Sequence, residues 1–229
     1  GFAGMGKSTL ALHLVARGFD FLSNDRVLVE PGDFIPGDIT PGDLVPGDIA
    51  PAGAAVLHGI PKHPRLNPGT ALGNPALAPL LSCALPPAAR AAYAGLGPEE
   101  LRVVEDKYDA LIDECFAPVE GHSRFTLAAP LAGVVVLNWT HGGGPLEARR
   151  VTLAERPDLL EAFRKTPGVF YLPQALAAPA QGGKARLDMA DYVAALGHLP
   201  ALELAGGADF EAATAACVEF LGVAAPANA

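Results

Sequence analysis

Positive charge is scarce in this chain: 16 Lys and Arg stand against 25 Asp and Glu in 229 residues, a formal net charge of -9. Neutralising the phosphates of a nucleic acid or an anionic bilayer takes clustered cations, so a broad electrostatic footprint for either is excluded. Cysteine is sparse too. Cys83, Cys115 and Cys217 lie far apart with no Cys-x-x-Cys pair, a spacing that fits neither a disulfide framework nor a zinc site and points to a reducing, cytoplasmic setting. No apolar run approaches the roughly 20 residues that span a bilayer, the longest being Ala132 to Leu137. The expectation is a soluble protein whose partner is a small molecule or another protein. A starting Met is also missing, and Gly1 already belongs to a motif, which reads as a piece whose beginning lies elsewhere.

Hydrophobic residues are plentiful at 50%, enough for one large domain over residues 1–229. Leu10, Leu12, Leu14 and Val15 among alanines predict a short buried helix over Ser8 to Arg17, stopped by Gly18. A strand follows at Phe19 to Leu22, ended by Ser23-Asn24-Asp25, and a β pattern resumes at Arg26 to Val29. From Pro31 to Ala50 the chain repeats PGDFI, PGDIT, PGDLV, PGDIA. Pro-Gly suits the centre of a type II turn, so residues 31–51 read as a low-complexity loop inserted in a hairpin and returning through a strand at Ala54 to Ile60. A calcium site from Asp33, Asp38, Asp43 and Asp48 is disfavoured, because calcium needs about 6–8 converging oxygens.

Pro61 to Asn74 reads as a loop, followed by helices at Pro75 to Ala84, Pro87 to Gly95 and Pro98 to Ala110. Strands are expected at Arg124 to Ala128, Gly133 to Trp139, Ala148 to Leu153, Val169 to Leu172 and Ala201 to Leu204. Helices are expected at Arg156 to Lys165, Asp188 to Leu196 and Asp209 to Leu221. The alternation predicts an α/β fold, a mixed sheet with flanking helices and an antiparallel portion.

The residues Gly1-Phe2-Ala3-Gly4-Met5-Gly6-Lys7-Ser8 match the phosphate-binding pattern GxxxxGK[ST] in full, with Thr9 and an apolar helix behind. Glycines let backbone N–H groups converge on phosphate oxygens, and the helix presents its positive end to the same anion. The nucleotide-binding set is therefore Gly1, Gly4, Met5, Gly6, Lys7, Ser8 and Thr9. Lys7 is placed to reach the β- and γ-phosphates and Ser8 to offer its hydroxyl to Mg²⁺. Phosphoryl transfer also needs an acid, and Asp25 at a strand end is the candidate metal ligand and base; an Asp there also suits a plain turn. Arg65 is assigned to transition-state charge, with Lys62 and Asn67 beside it. His58 and His63 are read as structural, and Lys107, Asp109 and Lys165 as ordinary surface. Asn138 closes the apolar run Val134 to Leu137 where many P-loop proteins keep an acid, but an amide cannot supply that charge.

GFAGMGKSTLALHL, FDFLSNDRVLV and GIPKHPRLNPGT together resemble the bacterial HPr kinase/phosphorylase superfamily, most closely its HPr-kinase-related branch. The segments KYDALIDECF, VVVLNW and RPDLLEAFRKTPGVFY are similar as well. The resemblance implies a kinase core of the HPr kinase and phosphoenolpyruvate carboxykinase type. It also implies ATP and Mg²⁺, a small protein acceptor phosphorylated on serine, and a possible homo-oligomer. By motif position Gly4, Gly6, Lys7 and Ser8 take the phosphate and metal roles and Asp25 the acidic one. Two departures stand out: Asn24-Asp25 replaces a pair of adjacent acids, and NPGT stands where a Glu-x-Arg-Gly signature is expected. They speak against HPr itself as the acceptor and keep a small-molecule kinase and a nucleotide sensor without turnover as alternatives.

Overall fold

A computed structural model describes residues 1, 4–30, 55–118, 121–140, 142–161 and 189–222. The Pro-Gly-Asp repeat, the strand expected at 169–172 and the last four residues of the helix expected over 156–165 lie outside them. The first element is helix α1, Lys7–Ala16. It is apolar on opposite sides because it lies between two cores. Leu12 and Val15 enter one with Phe21, Leu66, Leu77, Leu80 and Ile112. Leu10 enters the other with Leu137, Trp139, Leu202, Leu204 and Phe220. Gly18, at a φ of 101°, ends the helix as expected, since only glycine takes that conformation without cost.

Strand β1 (Val27–Glu30) pairs antiparallel with β2 (Val56–Gly59), from Val27 opposite Gly59 to Glu30 opposite Val56. The strands on either side of the repeat thus form the expected antiparallel pair. Strand β5 (Ala128–Pro130) adds to the far edge of β2. The strand expected at Phe19 to Leu22 reduces to one bridge, Phe21 with Phe125, in which the Phe21 amide donates to Arg124 O and its carbonyl accepts from Thr126.

The stretch expected as a loop over 61–74 is structured instead. It holds β3 (Arg65–Leu66), paired with β4 (Tyr108–Asp109), and helix α2 (Pro68–Leu72). A 3₁₀ turn at Pro75–Leu77 and helices α3 (Pro79–Cys83), α4 (Pro87–Tyr93), α5 (Pro98–Val103) and α6 (Ile112–Cys115) follow. Each of the first four of these opens on a proline. Proline suits the first helical turn but bars continuation of the helix before it, which divides the region into single turns and short helices. The helix expected over 98–110 ends at Val103, where Val104 turns extended, and Tyr108 and Asp109 pair with β3 as β4.

The second sheet carries β6 (Val134–Leu137), β7 (Leu146–Thr152) and β8 (Pro200–Gly206) in the order β6-β8-β7, with β6 parallel and β7 antiparallel to β8. One face packs on α1 and α9 (Phe210–Leu221); the other packs on α7 (Pro157–Leu160) and α8 (Met189–Leu196). With both faces covered, β6 needs the unbroken apolar run that its sequence shows. The molecule is thus α/β with mixed and antiparallel sheets.

The cysteine reading is corrected. Cys83 at the end of α3 and Cys115 at the end of α6 form a disulfide, Cα atoms 5.3 Å apart. Their separation of 32 residues hid a contact that exists only because the two short helices pack together in one core. The inference of a reducing compartment loses its premise. Among the described residues no helix is long and apolar enough to cross a membrane.

Candidate functional site

Gly4 and Gly6 adopt left-handed φ values of 79° and 82°. Gly6 is the N-cap of α1 and accepts the first helical hydrogen bond from the Leu10 amide at 2.9 Å. A left-handed residue beside a right-handed one, as Gly6 is beside helical Lys7, turns successive backbone N–H groups to one side, the geometry of an anion nest. Lys7 is the first helical residue and Ser8 the second. A Cβ on Gly6 would lie 2.6 Å from the Phe210 ring, whereas one on Gly4 would meet no described atom within 4 Å. Gly1 lies against Leu137, where a Cβ would come within 2.9 Å of that carbonyl. The loop therefore starts beside the C-terminal end of β6 and closes against the start of α9.

The strand-end residues reach the same place differently from one another. Ser8 Oγ donates to Asn24 Oδ1 at 2.9 Å. Asp25, expected to face Ser8, directs its carboxylate to Lys62 at 3.7 Å, both side chains about half exposed. Close chain approach sets this up: Ser23 Oγ donates to Ile60 O at 2.8 Å, and a Cβ on Gly59 would be 2.4 Å from Leu22 O. Only glycine permits that approach, and it delivers Lys62 to Asp25.

The Asn-Pro-Gly-Thr segment meets the motif helix. Thr9 and Thr70 hydroxyls stand 3.5 Å apart, and His13 Nε2 is 3.2 Å from Asn74 Oδ1. Arg65, expected to face the transferred phosphate, lies on β3 and pairs with Asp109 at 3.6 Å. Asn67 is occupied by the Val104 carbonyl and by Lys107. His58 pairs with Glu30, and His63 accepts from the Ile112 amide, in line with structural roles.

Asn138 belongs to the opposite face of the β6 sheet. Its amide donates to the buried Glu203 at 2.7 Å, and Glu203 also takes the Arg156 guanidinium at 2.7 and 3.1 Å. Hydrogen bonds from Arg156, more than burial, set the charge state, holding the Glu203 carboxyl below the usual carboxylate range. Arg156 likewise lowers Asp158.

Three residues that chain order did not single out matter here. Trp139 is buried and its indole N–H donates to the Met5 carbonyl at 3.0 Å. Phe210 stacks on His13 with centroids 5.5 Å apart and meets Trp139 edge-on at 5.3 Å. Arg124, also buried, donates to Val15 O at 2.8 Å and Phe19 O at 2.6 Å, tying down the far end of α1, and pairs with Asp20. A single Trp directly after an apolar strand was the one visible signal for Trp139; the other two carry none.

Among the described residues no group of three or more His, Cys, Asp or Glu is placed to hold a metal. Mg²⁺ of the nucleotide-bound kind takes one or two protein oxygens beside phosphates and water; of the two oxygens the sequence offers for it, the Ser8 hydroxyl is bonded to Asn24 and the Asp25 carboxylate faces Lys62. Comparison with known proteins returns no matching family model, no matching curated protein and no matching solved structure.

Proposed function

We propose that the chain binds ATP through Gly1 to Thr9 and transfers the γ-phosphate to a hydroxyl, a serine of a small protein being the acceptor that the sequence resemblance favours. The observation that carries this is the pair of left-handed glycines at the head of the ten-residue α1, with Lys7 and Ser8 in its first turn. Backbone N–H groups and the helix end offset phosphate charge, and the Lys7 ammonium adds a full positive charge. Mg²⁺, when bound, spreads the charge developing on the phosphate oxygens. Ser8 and Asp25 are the residues that would hold it.

The acceptor hydroxyl forms the new bond to phosphorus as the bond to the leaving oxygen breaks, and Asp25 takes the hydroxyl proton. Lys62, paired with Asp25, keeps that carboxylate oriented. Arg65 has a weaker claim, because its guanidinium faces Asp109.

A nucleotide sensor without turnover is the second reading. The observation in its favour is that an amide, Asn24, and not a carboxylate, accepts the Ser8 hydrogen bond. Titration calorimetry with ATP and Mg²⁺, beside a transfer and phosphate-release assay in cell extract, separates the two. Under the kinase reading Lys7→Ala loses nucleotide binding, while Asp25→Asn keeps binding and loses transfer. Unchanged transfer in Asp25→Asn removes Asp25 from the mechanism, and binding with no transfer to any acceptor favours the sensor.

A further inference from the structure

Trp139 is the only tryptophan in the chain, and it is buried. Buried indoles ordinarily find an acceptor for their N–H, but the one chosen here lies inside the glycine-rich loop. The Trp139 N–H donates to the carbonyl of Met5 at 3.0 Å. That carbonyl belongs to the same peptide unit as the amide of Gly6. The unit is planar, and no described peptide is cis, so carbonyl and amide point in opposite directions. Holding the Met5 oxygen against the indole therefore turns the Gly6 N–H away from it.

Gly6 needs such a restraint. At φ 82° and ψ 21°, glycine has wide freedom on both sides of its Cα, and a flip of the Met5–Gly6 peptide costs it little. Nothing intrinsic to the residue selects one peptide orientation. Two rings supply the selection from outside the loop: Phe210 fills the space where a Gly6 Cβ would be, and Trp139 packs edge-on against Phe210 at 5.3 Å. Both rings belong to the core that anchors α1 through Leu10 and the sheet through Leu137 and Leu204.

We propose that Trp139 is a positioning residue for the phosphate-binding loop: its indole N–H, by fixing the Met5 carbonyl, presents the Gly6 amide to the bound phosphate. This rests on the phosphate-binding reading of the loop and extends it to a residue outside the motif. In its absence the peptide samples both orientations, and binding is weakened by the fraction of loops that face the wrong way.

The chain has two methionines and only Met5 precedes a glycine. Carbonyl-¹³C methionine with ¹⁵N glycine therefore yields one correlated amide signal, that of Gly6. In the full chain, inorganic pyrophosphate is expected to shift this signal and the single indole N–H signal with one midpoint. Trp139→Phe, which keeps a ring and loses the donor, is expected to move the Gly6 signal without ligand and to weaken pyrophosphate binding roughly five- to tenfold.

An unmoved Gly6 signal and unchanged pyrophosphate affinity in Trp139→Phe overturn the proposal while leaving the phosphate site standing. Should Trp139→Phe fail to fold, the unaltered chain decides: a Gly6 signal that responds to pyrophosphate while the indole signal does not overturns it equally. No response of Gly6 in the unaltered chain is the distinct outcome that removes the phosphate-binding reading, and this inference with it.

Discussion

Gly6 combines two demands that only glycine meets. Its φ of 82° lies in the left-handed region, which costs a residue with a Cβ about 1–2 kcal/mol, and that Cβ would stand 2.6 Å from the Phe210 ring, adding an overpacking cost of about 1–3 kcal/mol. Gly6→Ala is therefore expected to lose about 2–5 kcal/mol in urea unfolding as well as nucleotide binding. Gly4 shares the backbone conformation but its Cβ would meet no described atom within 4 Å, so Gly4→Ala should cost only the about 1–2 kcal/mol of the left-handed backbone. Equal losses at the two positions would show that Phe210 does not press on the loop. The glycine pattern marked both positions in advance; that one touches an aromatic ring 204 positions along the chain could not be read from it, because contact with Phe210 depends on α9 returning to the start of α1.

At the scale of elements, the β6-β8-β7 sheet is fastened to α7 by Glu203. The carboxylate on β8 is buried, and it is matched by Arg156 ahead of α7 and Asn138 after β6. Arg156 lowers the folded-state value of this carboxyl below its ordinary 4.5. The sign follows: a depressed value contributes stability that is present above 4.5 and is lost as pH falls through the folded value. Glu203→Gln lacks that contribution and leaves Arg156 facing an amide. The stability difference between the two proteins is expected to be largest near neutral pH and to narrow as the medium is acidified below 4.5. Denaturant unfolding of both proteins over that range measures it, and a gap that widens on acidification would remove the charge pairing as its cause. Element type was legible for β6, β7, β8, α8 and α9, most plainly in the unbroken apolar run of β6. It failed over 61–74, because β3 forms only through β4 and α2 only by packing beside α3, α4 and α5, partners that local propensity does not contain.

For the whole molecule, the Cys83–Cys115 disulfide closes a separation of 32 residues across the core that also holds Leu12 and Val15 of α1. Restricting the unfolded chain in this way contributes about 2–4 kcal/mol, so reductant should lower the unfolding midpoint by a corresponding amount. Burial pushes the thiol of Cys217 up to about 11, which keeps it unreactive while folded. Thiol titration of the unfolded, unreduced chain should then count one group, and three after reduction. Three in the unreduced chain would break the pairing. What the amino-acid order determined is local: the glycines and Lys7-Ser8 of the loop, the apolar helix behind it, the strand of valines. Each follows from neighbours within a few residues. Tertiary structure decided that Asn24 rather than Asp25 takes the Ser8 hydroxyl, that Arg65 turns to Asp109, and that Trp139, 134 residues away, holds the Met5 carbonyl. Those contacts exist only where two cores close on opposite sides of α1, and no local pattern carries that long-range closure.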